Sequence, residues 1–404
     1  MKFKTVTLSD ISIGGGSYGI AASAVPYSED LPTYLRITDI NDDGTINFDG
    51  LKSVADPNAS KYYLAPNDIV FARTGASTGR NYFYDNIDRN FVYAGFLIKF
   101  SIDPKKVNPI YVKYYCRSKK YYDWVTSFNT GSTRGNINAQ MFGNMPLPLP
   151  PKEQQDTLAN TLSVLDAKIA NNSKINHHLE QIAQGVYKSW FVDFEPWGGV
   201  QPIDWKLGKA DDFFDISIGK TPPRKEPQWF TTNSQDVIWV SISDMGNCGM
   251  FISNSSEYLT AESVTRFNVK VVPNGTVLLS FKLTVGRVAI TNGEMTTNEA
   301  IAHFKLSKNI ATEYLYFYLK TFDYQALGNT SSIATAVNSK TIKAMPFLMP
   351  TDNVLEKYHA ATAPIFEKIR VTLEESKSLA ILRDSLLPRL MSGELSVSDI
   401  VGGK

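Results

Sequence analysis

The feature that most constrains this chain is the stretch from Pro151 to Trp190, whose apolar residues recur at spacings of four and three. That spacing forms one stripe along a helix and is typical of a helix that coils against a partner. Asn172 and Asn176 make the middle of the stripe polar. Its apolar positions are Leu158, Leu162, Leu165, Ile169, Leu179, Val186 and Trp190. The sequence therefore predicts one long helix with apolar ends and a polar centre.

The same pattern returns 200 residues later, which indicates an internal repeat. Thr372 and Ser376 repeat the polar centre, and the apolar positions are Ile365, Ile369, Leu379, Leu386 and Leu390. Two helices joined by a whole domain can pair antiparallel, so that polar centre faces polar centre and each apolar end meets an apolar end. The alternative is two unrelated amphipathic helices on separate cores, but the shared spacing and shared polar gap argue against it.

Proline and glycine set limits on the second helix. Pro364 interrupts the hydrogen-bond ladder of a helix, so we expect a kink or a separate short helix before about residue 365. Gly393 suits the position just past a helix carboxyl end, and residues 394–404 resemble a tail.

The regions between the helices are predicted to be similar mixed domains. Asp215–Gly219 repeats Asp10–Gly14, and Trp239–Met245 repeats Tyr34–Ile40, each at a separation of 205 residues. The predicted fold is α+β, with two similar mixed α/β domains, two long antiparallel coiled-coil helices and a pseudo-twofold internal repeat. Its parts are a first domain, a spacer helix, a second domain, a second spacer helix and the tail, at 1–150, 151–195, 196–350, 351–393 and 394–404.

Composition narrows the class of protein. With 404 residues and 43% hydrophobic content, the chain can form two or three domains with real cores. No run approaches the roughly 18 apolar residues of a membrane span, and the first residues do not resemble a secretion signal. Cys116 and Cys248 are too few for a disulfide framework. We therefore expect a soluble, cytoplasmic protein.

No catalytic constellation or phosphate-binding motif is visible in the sequence. The histidines, His177, His178, His303 and His359, have no acidic or cysteine partner at metal-ligand spacing. We interpret them as solvated helix residues and predict no metal site. The chain is expected to bind a ligand rather than to transform one.

Two similar domains on a helical spacer suit a long ligand with two separated sites, and duplex DNA is such a ligand. Because the net charge is only +1, basic residues would have to be concentrated on one face. Cations in predicted loops can neutralise phosphates or read guanine edges. The candidates are Arg73, Arg80, Arg134, Lys220, Arg224, Lys225, Lys282 and Arg287. Arg80 and Arg287 each follow a glycine at the same place in the repeat, which a shared structural role would also explain.

Five short motifs, in this order on this repeat, resemble the DNA-specificity subunit of Type I restriction-modification systems over essentially the whole chain. They are Pro146–Gln155, Leu165–Ile169, Lys188–Phe194, Gly286–Ile290 and Leu386–Leu395. One departure is Arg383, which stands where the first helix has Ala183.

The resemblance implies a non-catalytic specificity subunit with two target recognition domains. Each domain would read one half of a bipartite, asymmetric site in double-stranded DNA, and the helices would fix the unread spacer. The helices would also bind two modification subunits, which supply S-adenosylmethionine chemistry, and restriction subunits can join the complex. No cofactor is expected on this chain. A protein-binding coiled-coil adaptor is the alternative, and the salt dependence of binding distinguishes the two.

Overall fold

The computed structural model describes residues 3–85, 89–128, 135–306, 311–327, 337–392 and 394. The chain divides into two compact units, each containing one globular region and a part of each long helix. Unit 1 comprises Met1–Lys168 and Leu379–Lys404, and unit 2 comprises Ile169–Ser378.

Unit 1 is built on two four-stranded sheets and a two-stranded ribbon. Its strands are β1 (Lys4–Thr7), β2 (Ser17–Tyr18), β3 (Ala24–Pro26), β4 (Thr33–Leu35), β5 (Lys52–Val54), β6 (Asp68–Ala72), β7 (Asn81–Tyr84), β8 (Phe91–Tyr93), β9 (Leu97–Ser101) and β10 (Pro146–Leu149). The sheets have the orders β2-β9-β6-β7 and β3-β5-β4-β8, and β1 pairs with β10. Nearly continuous burial along β6 and β7 places them in the core of the unit.

In the first part of the chain, short helices begin at a capping asparagine or serine, and a long helix follows them. They are α1 (Pro109–Tyr115), α2 (Lys119–Thr126), α3 (Ala139–Gly143) and the long α4 (Lys152–Phe191). The Asn108 side chain accepts hydrogen bonds from the first turn of α1, and Pro109 occupies a position that needs no amide donor. A new helix, α2, begins soon after α1 because the Ser118 side chain accepts a hydrogen bond from the Tyr121 amide.

Unit 2 has a five-stranded sheet, a four-stranded sheet and a similar ribbon. Its strands are β11 (Lys206–Lys209), β12 (Asp215–Ile218), β13 (Phe230–Thr231), β14 (Val237–Val240), β15 (Phe251–Ile252), β16 (Glu257–Leu259), β17 (Val277–Ser280), β18 (Val288–Thr291), β19 (Thr296–Thr297), β20 (Ile301–Lys305) and β21 (Pro346–Met349). The orders are β12-β20-β17-β18-β15 and β13-β16-β14-β19, and β11 pairs with β21.

The helices that follow α4 are α5 (Ala210–Phe213), α6 (Ile242–Asn247), α7 (Ala261–Arg266), α8 (Thr312–Thr321), α9 (Ser339–Lys343) and α10 (Asp352–Ser392). The α10 helix continues through Pro364, so a separate short helix before residue 365 is excluded, and the alternative of a kink stays a prediction. Pro364 is exposed, and the long flanking segments maintain the helix despite the lost amide donor. Gly393 and most of the expected tail lie outside the described residues.

A tyrosine pair anchors the ribbon in each unit by the same contacts. Two tyrosines one helical turn apart donate their hydroxyl protons to main-chain carbonyls of the ribbon strand that precedes the long helix. In unit 1, Tyr111 donates to the Pro148 carbonyl and Tyr115 to the Pro146 carbonyl. In unit 2, Tyr314 donates to the Leu348 carbonyl and Tyr318 to the Pro346 carbonyl.

The strand pairing corrects one predicted correspondence. Asp10–Gly14 was expected to match Asp215–Gly219, but its first residues belong to a short 3-10 helix. The amide of Gly19 donates to the start of β9 as the amide of Gly219 donates to the start of β20. A β-carbon on either glycine would lie within 2.3 Å of a neighbouring carbonyl oxygen. The equivalent positions are therefore 200 residues apart, with a longer lead segment in unit 1.

The second predicted correspondence, between Tyr34–Ile40 and Trp239–Met245, contains a strand only in its first residues. Within Tyr34–Ile40 the strand ends at Leu35, and within Trp239–Met245 it ends at Val240. In unit 2 a helix follows, because Ser241 and Asp244 form a reciprocal capping box. Each segment is therefore a short strand followed by a capped turn or helix.

Two histidines differ from the expectation of solvated helix residues. His303 lies on β20, is fully buried, and is held by the hydroxyl groups of Ser217 and Thr297. Burial, with the charges of two nearby lysines, lowers the pKa of His303 to about 3, so this imidazole is neutral at physiological pH. His359 is on a helix but pairs with Glu313 at 2.9 Å. Both are structural residues.

Candidate nucleic-acid interface

In unit 1, three strand ends meet at one edge of the sheet. Strands β2 and β6 both run antiparallel to β9, so their carboxyl ends lie beside the start of β9. This edge, which we call the loop edge of unit 1, carries Tyr18, Arg73 and Phe96. Tyr18 and Phe96 are exposed. Exposed aromatic residues beside a cation are typical of ligand-binding surfaces.

The Arg73 guanidinium lies close to both exposed rings. Its central carbon is 5.5 Å from the Tyr18 ring centroid and 5.6 Å from that of Phe96. Arg73 Nε is buried and has no hydrogen-bond partner among the described residues. Flanking rings restrict the orientation of a guanidinium, which leaves its remaining donors able to form a fork-shaped contact with phosphate or a guanine edge.

The equivalent edge of unit 2 is formed by β12, β17 and β20. Strands β12 and β17 both run antiparallel to β20, so their carboxyl ends also lie together. The loops at this edge, which we call the loop edge of unit 2, carry four exposed predicted cations. These are Lys220, Arg224, Lys225 and Lys282.

Arg224 is held by a carboxylate and two aromatic rings. Its guanidinium makes two hydrogen bonds of 2.8 Å to the Glu257 carboxylate and lies over the rings of Phe230 and Trp239, at 4.1 and 4.5 Å. The hydrogen bonds to Glu257 raise the pKa of Arg224. A guanidinium already committed to a carboxylate contacts another anion only by sharing or exchanging that partner.

A carboxylate lies among the cations of this edge. Burial favours the neutral form of Glu299, but the Thr221 hydroxyl and the charges of Lys282 and Arg224 outweigh it, and the pKa of Glu299 is lowered. The charges of Lys282 and Arg224 thus both act on this carboxylate. The edge thus offers positive charge with an acceptor beside it, a combination that can pair with phosphates and with base donors.

Arg80 and Arg287 hold the hairpin of their own unit in place. Arg80 donates to the Ile40 carbonyl at 3.1 Å and to Asp42 at 2.6 Å. Arg287 donates to the Ile242 carbonyl at 2.6 Å. Both are half-buried, so the shared glycine and arginine have a structural explanation in both units. A DNA contact by either arginine stays a prediction, and Arg134 lies outside the described residues.

In unit 2 the polar centres of the long helices meet as predicted. The Asn172 side chain donates to Glu375 at 2.9 Å and to Ser376 at 3.2 Å. Asn172 is buried, and its side-chain oxygen has no partner among the described residues. A buried polar contact weakens a helix pair but disfavours shifted registers.

The residues of the two predicted apolar stripes, where the helices were expected to pack together, are all at least half-buried. Leu158, Leu162, Ile369 and Leu390 are buried, and Leu165, Ile169, Leu179, Val186, Ile365, Leu379 and Leu386 are half-buried. Larger side chains of the same helices enter the core of unit 2, among them Tyr187, Phe191, Tyr358 and Phe366. Much of the apolar surface of each helix is therefore covered by a globular region. The predicted stripe omitted that contribution.

In unit 1 the long helices and the globular region share one carboxylate. Asp166 accepts hydrogen bonds from Arg383 at 2.8 Å, from Tyr114 at 2.8 Å and from Arg117 at 3.3 Å. Arg383, which departs from the repeat, is thus half of a helix-to-helix ion pair. The ion pair with Asp166 therefore explains why an arginine stands at position 383 where the first helix has Ala183.

Two segments of the chain, residues 4–181 and 202–381, match the family described as "Type I restriction modification DNA specificity domain". The chain belongs to this family. The Type I restriction enzyme HindI specificity subunit of Haemophilus influenzae is 24% identical, with 84% of this chain and 89% of that protein covered. The MjaIX specificity subunit of Methanocaldococcus jannaschii is 25% identical over 72% of this chain and 70% of the relative.

A solved structure of the same family has a similar fold. The Type I restriction-modification S subunit from M. genitalium aligns with a TM-score of 0.56 at 14% identity, covering 96% of both chains. Within the described part of this specificity-family chain, no helix combines the length and apolar character of a membrane span. Nor do the described residues include a cluster of three or more potential metal ligands.

In this specificity-family chain, Arg73 and the cations of unit 2 were predicted from the sequence because they are basic. The aromatic and acidic residues that contact or neighbour them were not predicted. Tyr18 and Phe96 come from strand ends far apart in sequence, and only the sheet order brings them to Arg73. Glu257 and Glu299 were missed because a search for cations ignores carboxylates. An exposed aromatic residue next to a strand-ending glycine, as in Tyr18-Gly19, is the one local pattern that marks the edge.

Proposed function

We propose that this chain is the DNA sequence-specificity subunit of a Type I restriction-modification complex, in which the loop edge of each unit reads one half of a bipartite site in double-stranded DNA. The observation that carries the proposal is the occurrence of cations at equivalent sheet edges in two units of a chain from this family. Arg73 stands at the edge of unit 1, and Lys220, Arg224 and Lys282 stand at that of unit 2.

The two half-sites are proposed to differ in sequence, because the two edges differ in chemistry. Unit 1 presents an arginine that lies close to two exposed rings. Unit 2 presents lysines, a carboxylate-bound arginine and Glu299. A guanidinium fork selects guanine, whereas a carboxylate accepts from cytosine and disfavours nearby phosphate. An asymmetric site follows from such unlike readers.

The long helices are proposed to fix the unread spacer between the half-sites. The α4 helix has 40 residues, which corresponds to about 60 Å at 1.5 Å per residue. One turn of B-DNA is about 34 Å, so a rigid helix of this length can separate two readers by more than one turn. The equivalent contacts in the two units support a pseudo-twofold repeat as the basis of this arrangement.

The outer surfaces of the helices are the proposed docking sites for two modification subunits. Ile182 on α4 and Leu382 on α10 are separated by 200 residues, and their exposures are 55% and 45%. Apolar side chains exposed at equivalent helix positions, one in each unit, suit two copies of the same partner. The S-adenosylmethionine chemistry is assigned to those subunits. This chain is proposed to be non-catalytic, and restriction subunits can join the same complex.

The test of the proposed function is methylome sequencing of a host expressing the chain together with its cognate modification subunit. The expected result is a bipartite, asymmetric N6-methyladenine motif that appears only when this chain is present. If the complex assembles but no new motif appears, the DNA-specificity proposal fails. If the chain binds its partners with an affinity that does not fall as the salt concentration rises, the result would instead support the adaptor alternative.

The docking proposal is tested by the stoichiometry of the purified complex. Ile182→Asp and Leu382→Asp should each remove one modification subunit, because a charge placed in an apolar contact loses its hydration. Affinity at that site should fall by more than about tenfold. Val200→Asp is the matched control, since Val200 is 68% exposed but lies outside both long helices. Retention of both subunits by both helix variants would contradict these docking sites.

A further inference from the structure

Leu283 has an unusual backbone conformation in the loop that joins β17 and β18. Its φ is +60°, and the Thr284 amide donates to the Lys282 carbonyl at 2.7 Å. These features define a tight turn of three residues centred on Leu283, a conformation that is rare and strained for a branched side chain.

The strain at Leu283 is not offset by burial of its side chain. Leu283 is 98% exposed, although leucine is among the residues that gain most from leaving water. A leucine in this position therefore contributes neither a relaxed turn nor a core contact. Strained residues that persist without such a benefit occur preferentially at functional sites.

The equivalent loop of unit 1 shows the relaxed solution. The Arg73 amide donates to the Phe96 carbonyl as the Phe281 amide donates to the Ala300 carbonyl, at 3.1 and 2.9 Å. Counting from these equivalent residues places Gly75, with φ of +78°, opposite Leu283. Glycine adopts this conformation without steric cost. If only the turn mattered, glycine would serve equally well in unit 2.

Leu283 projects from the loop edge that carries the cations of unit 2. Lys282 precedes it directly, and Lys282 and Arg224 are both coupled to Glu299. The loop closes an antiparallel pair of strands. The loop protrudes from the edge of a five-stranded sheet. An exposed apolar side chain on such a loop can contact the 5-methyl group of thymine, which is displayed in the major groove.

We propose that Leu283 is a specificity-determining residue of unit 2 and makes an apolar contact with a thymine 5-methyl group in the major groove. Lys282 then pairs with an adjacent phosphate. This inference rests on the proposed DNA-reading function of the unit. It predicts an A·T pair in the half-site read by unit 2.

The test is a double-mutant cycle with the assembled complex of this chain and its modification subunits, on duplexes carrying the methylome-defined motif. Each thymine of the motif is replaced in turn by uracil, which removes only the methyl group. For the unaltered chain, one replacement in the half-site of unit 2 should weaken binding about fourfold, the value of one buried methyl group. The same replacement should leave binding by Leu283→Gly unchanged.

Two further variants separate the side chain from the backbone. Leu283→Ala keeps a side chain on the strained turn but loses the apolar tip, and it should also lose the response to uracil. Ile203→Gly is the matched control, because Ile203 is a fully exposed aliphatic residue of unit 2 that precedes β11. Its complex should retain the thymine dependence. Thermal unfolding of Leu283→Gly should show equal or higher stability, since glycine relieves the turn.

Three outcomes overturn the proposal. One is that Leu283→Gly binds with unchanged affinity and an unchanged response to uracil. Another is that Leu283→Gly weakens binding while no uracil replacement affects the unaltered chain, which would indicate insertion between bases or a backbone role. The third is a unit 2 half-site without an A·T pair. Failure of the DNA-specificity proposal itself is distinct, because the unaltered chain would then produce no motif.

Discussion

The two units fill one equivalent position of their helix pairs with opposite chemistry. Unit 1 has the ion pair of Asp166 and Arg383, and the residues 200 positions away in unit 2 are Phe366 and Ala183. Ala183 and Phe366 are both buried in the core of unit 2. Positions separated by 200 residues in sequence are therefore polar in unit 1 and apolar in unit 2.

The neighbours of each pair explain the difference. In unit 1, Tyr114 and Arg117 point hydrogen-bond donors at this position, and a carboxylate satisfies them. In unit 2, the Phe366 ring lies 5.8 Å from the rings of Tyr316 and Phe317. The Tyr316 hydroxyl is satisfied elsewhere, by Glu180 at 2.7 Å. Whether this position is charged or apolar thus depends on the hydrogen-bond donors that the neighbouring globular region directs at it.

The strongest test of this comparison is Phe366→Ala. Removing a buried aromatic ring should destabilise unit 2 by about 3 to 5 kcal/mol, because contacts are lost and a cavity remains. Hydrogen exchange measured by mass spectrometry on the full chain should show lost protection in α8 and β17. Peptides of β6 and β9 in unit 1 should be unaffected.

Equal loss of protection in both units would contradict the assignment of Phe366 to the core of unit 2 alone. Val371→Ala is the matched control on the same helix, because Val371 is exposed. Truncation of an exposed side chain away from such contacts should change stability by less than about 0.5 kcal/mol.

The sequence predicted the parts of the fold that depend on periodicity. The length of α4 and the contact of polar centres through Asn172 and Ser376 follow from side-chain spacing on a helix. Such features are encoded within a few neighbouring residues.

Long-range pairing could not be predicted in the same way. The register of β2 against β9 brings Tyr18 to Phe96 and Arg73, and no local pattern encodes this contact. The salt bridge at Arg383 first appeared as an irregularity, since its meaning depends on Asp166, 217 residues away. Exposed cations were identified by type alone, and type did not separate the structural Arg80 from Arg73.

A smaller effect is expected for Arg383→Ala in unit 1. Asp166 would retain Tyr114 and Arg117, so the loss should be about 1 to 3 kcal/mol rather than that of a fully unpaired charge. Arg370→Ala is the control on the same helix, because its exposed ion pairs are worth less than about 1 kcal/mol. Denaturant unfolding of the full chain, with unit-resolved hydrogen exchange, measures both.

The double variant Asp166→Ala with Arg383→Ala sharpens this second prediction. If the two side chains interact directly, their combined cost should differ from the sum of the single costs by about 0.5 to 3 kcal/mol. Additive costs would mean that Arg383 acts only through Asp384, its other carboxylate partner.

The smallest expected effect is a difference in acid sensitivity between the units. Burial favours protonation of Asp166, but hydrogen bonds from Arg383 and Tyr114 and the charge of Arg117 outweigh it and lower its pKa. A carboxyl group with a lowered folded-state pKa contributes stability above its unfolded pKa, near pH 4, and loses it as pH falls through the folded value. Unit 1 should therefore lose protection below pH 4 by an amount that shrinks in Arg383→Ala. At the equivalent position unit 2 has Phe366, so Phe366→Leu should leave its acid response unchanged. An undiminished acid response in Arg383→Ala would show that Tyr114 and Arg117 alone keep Asp166 ionised.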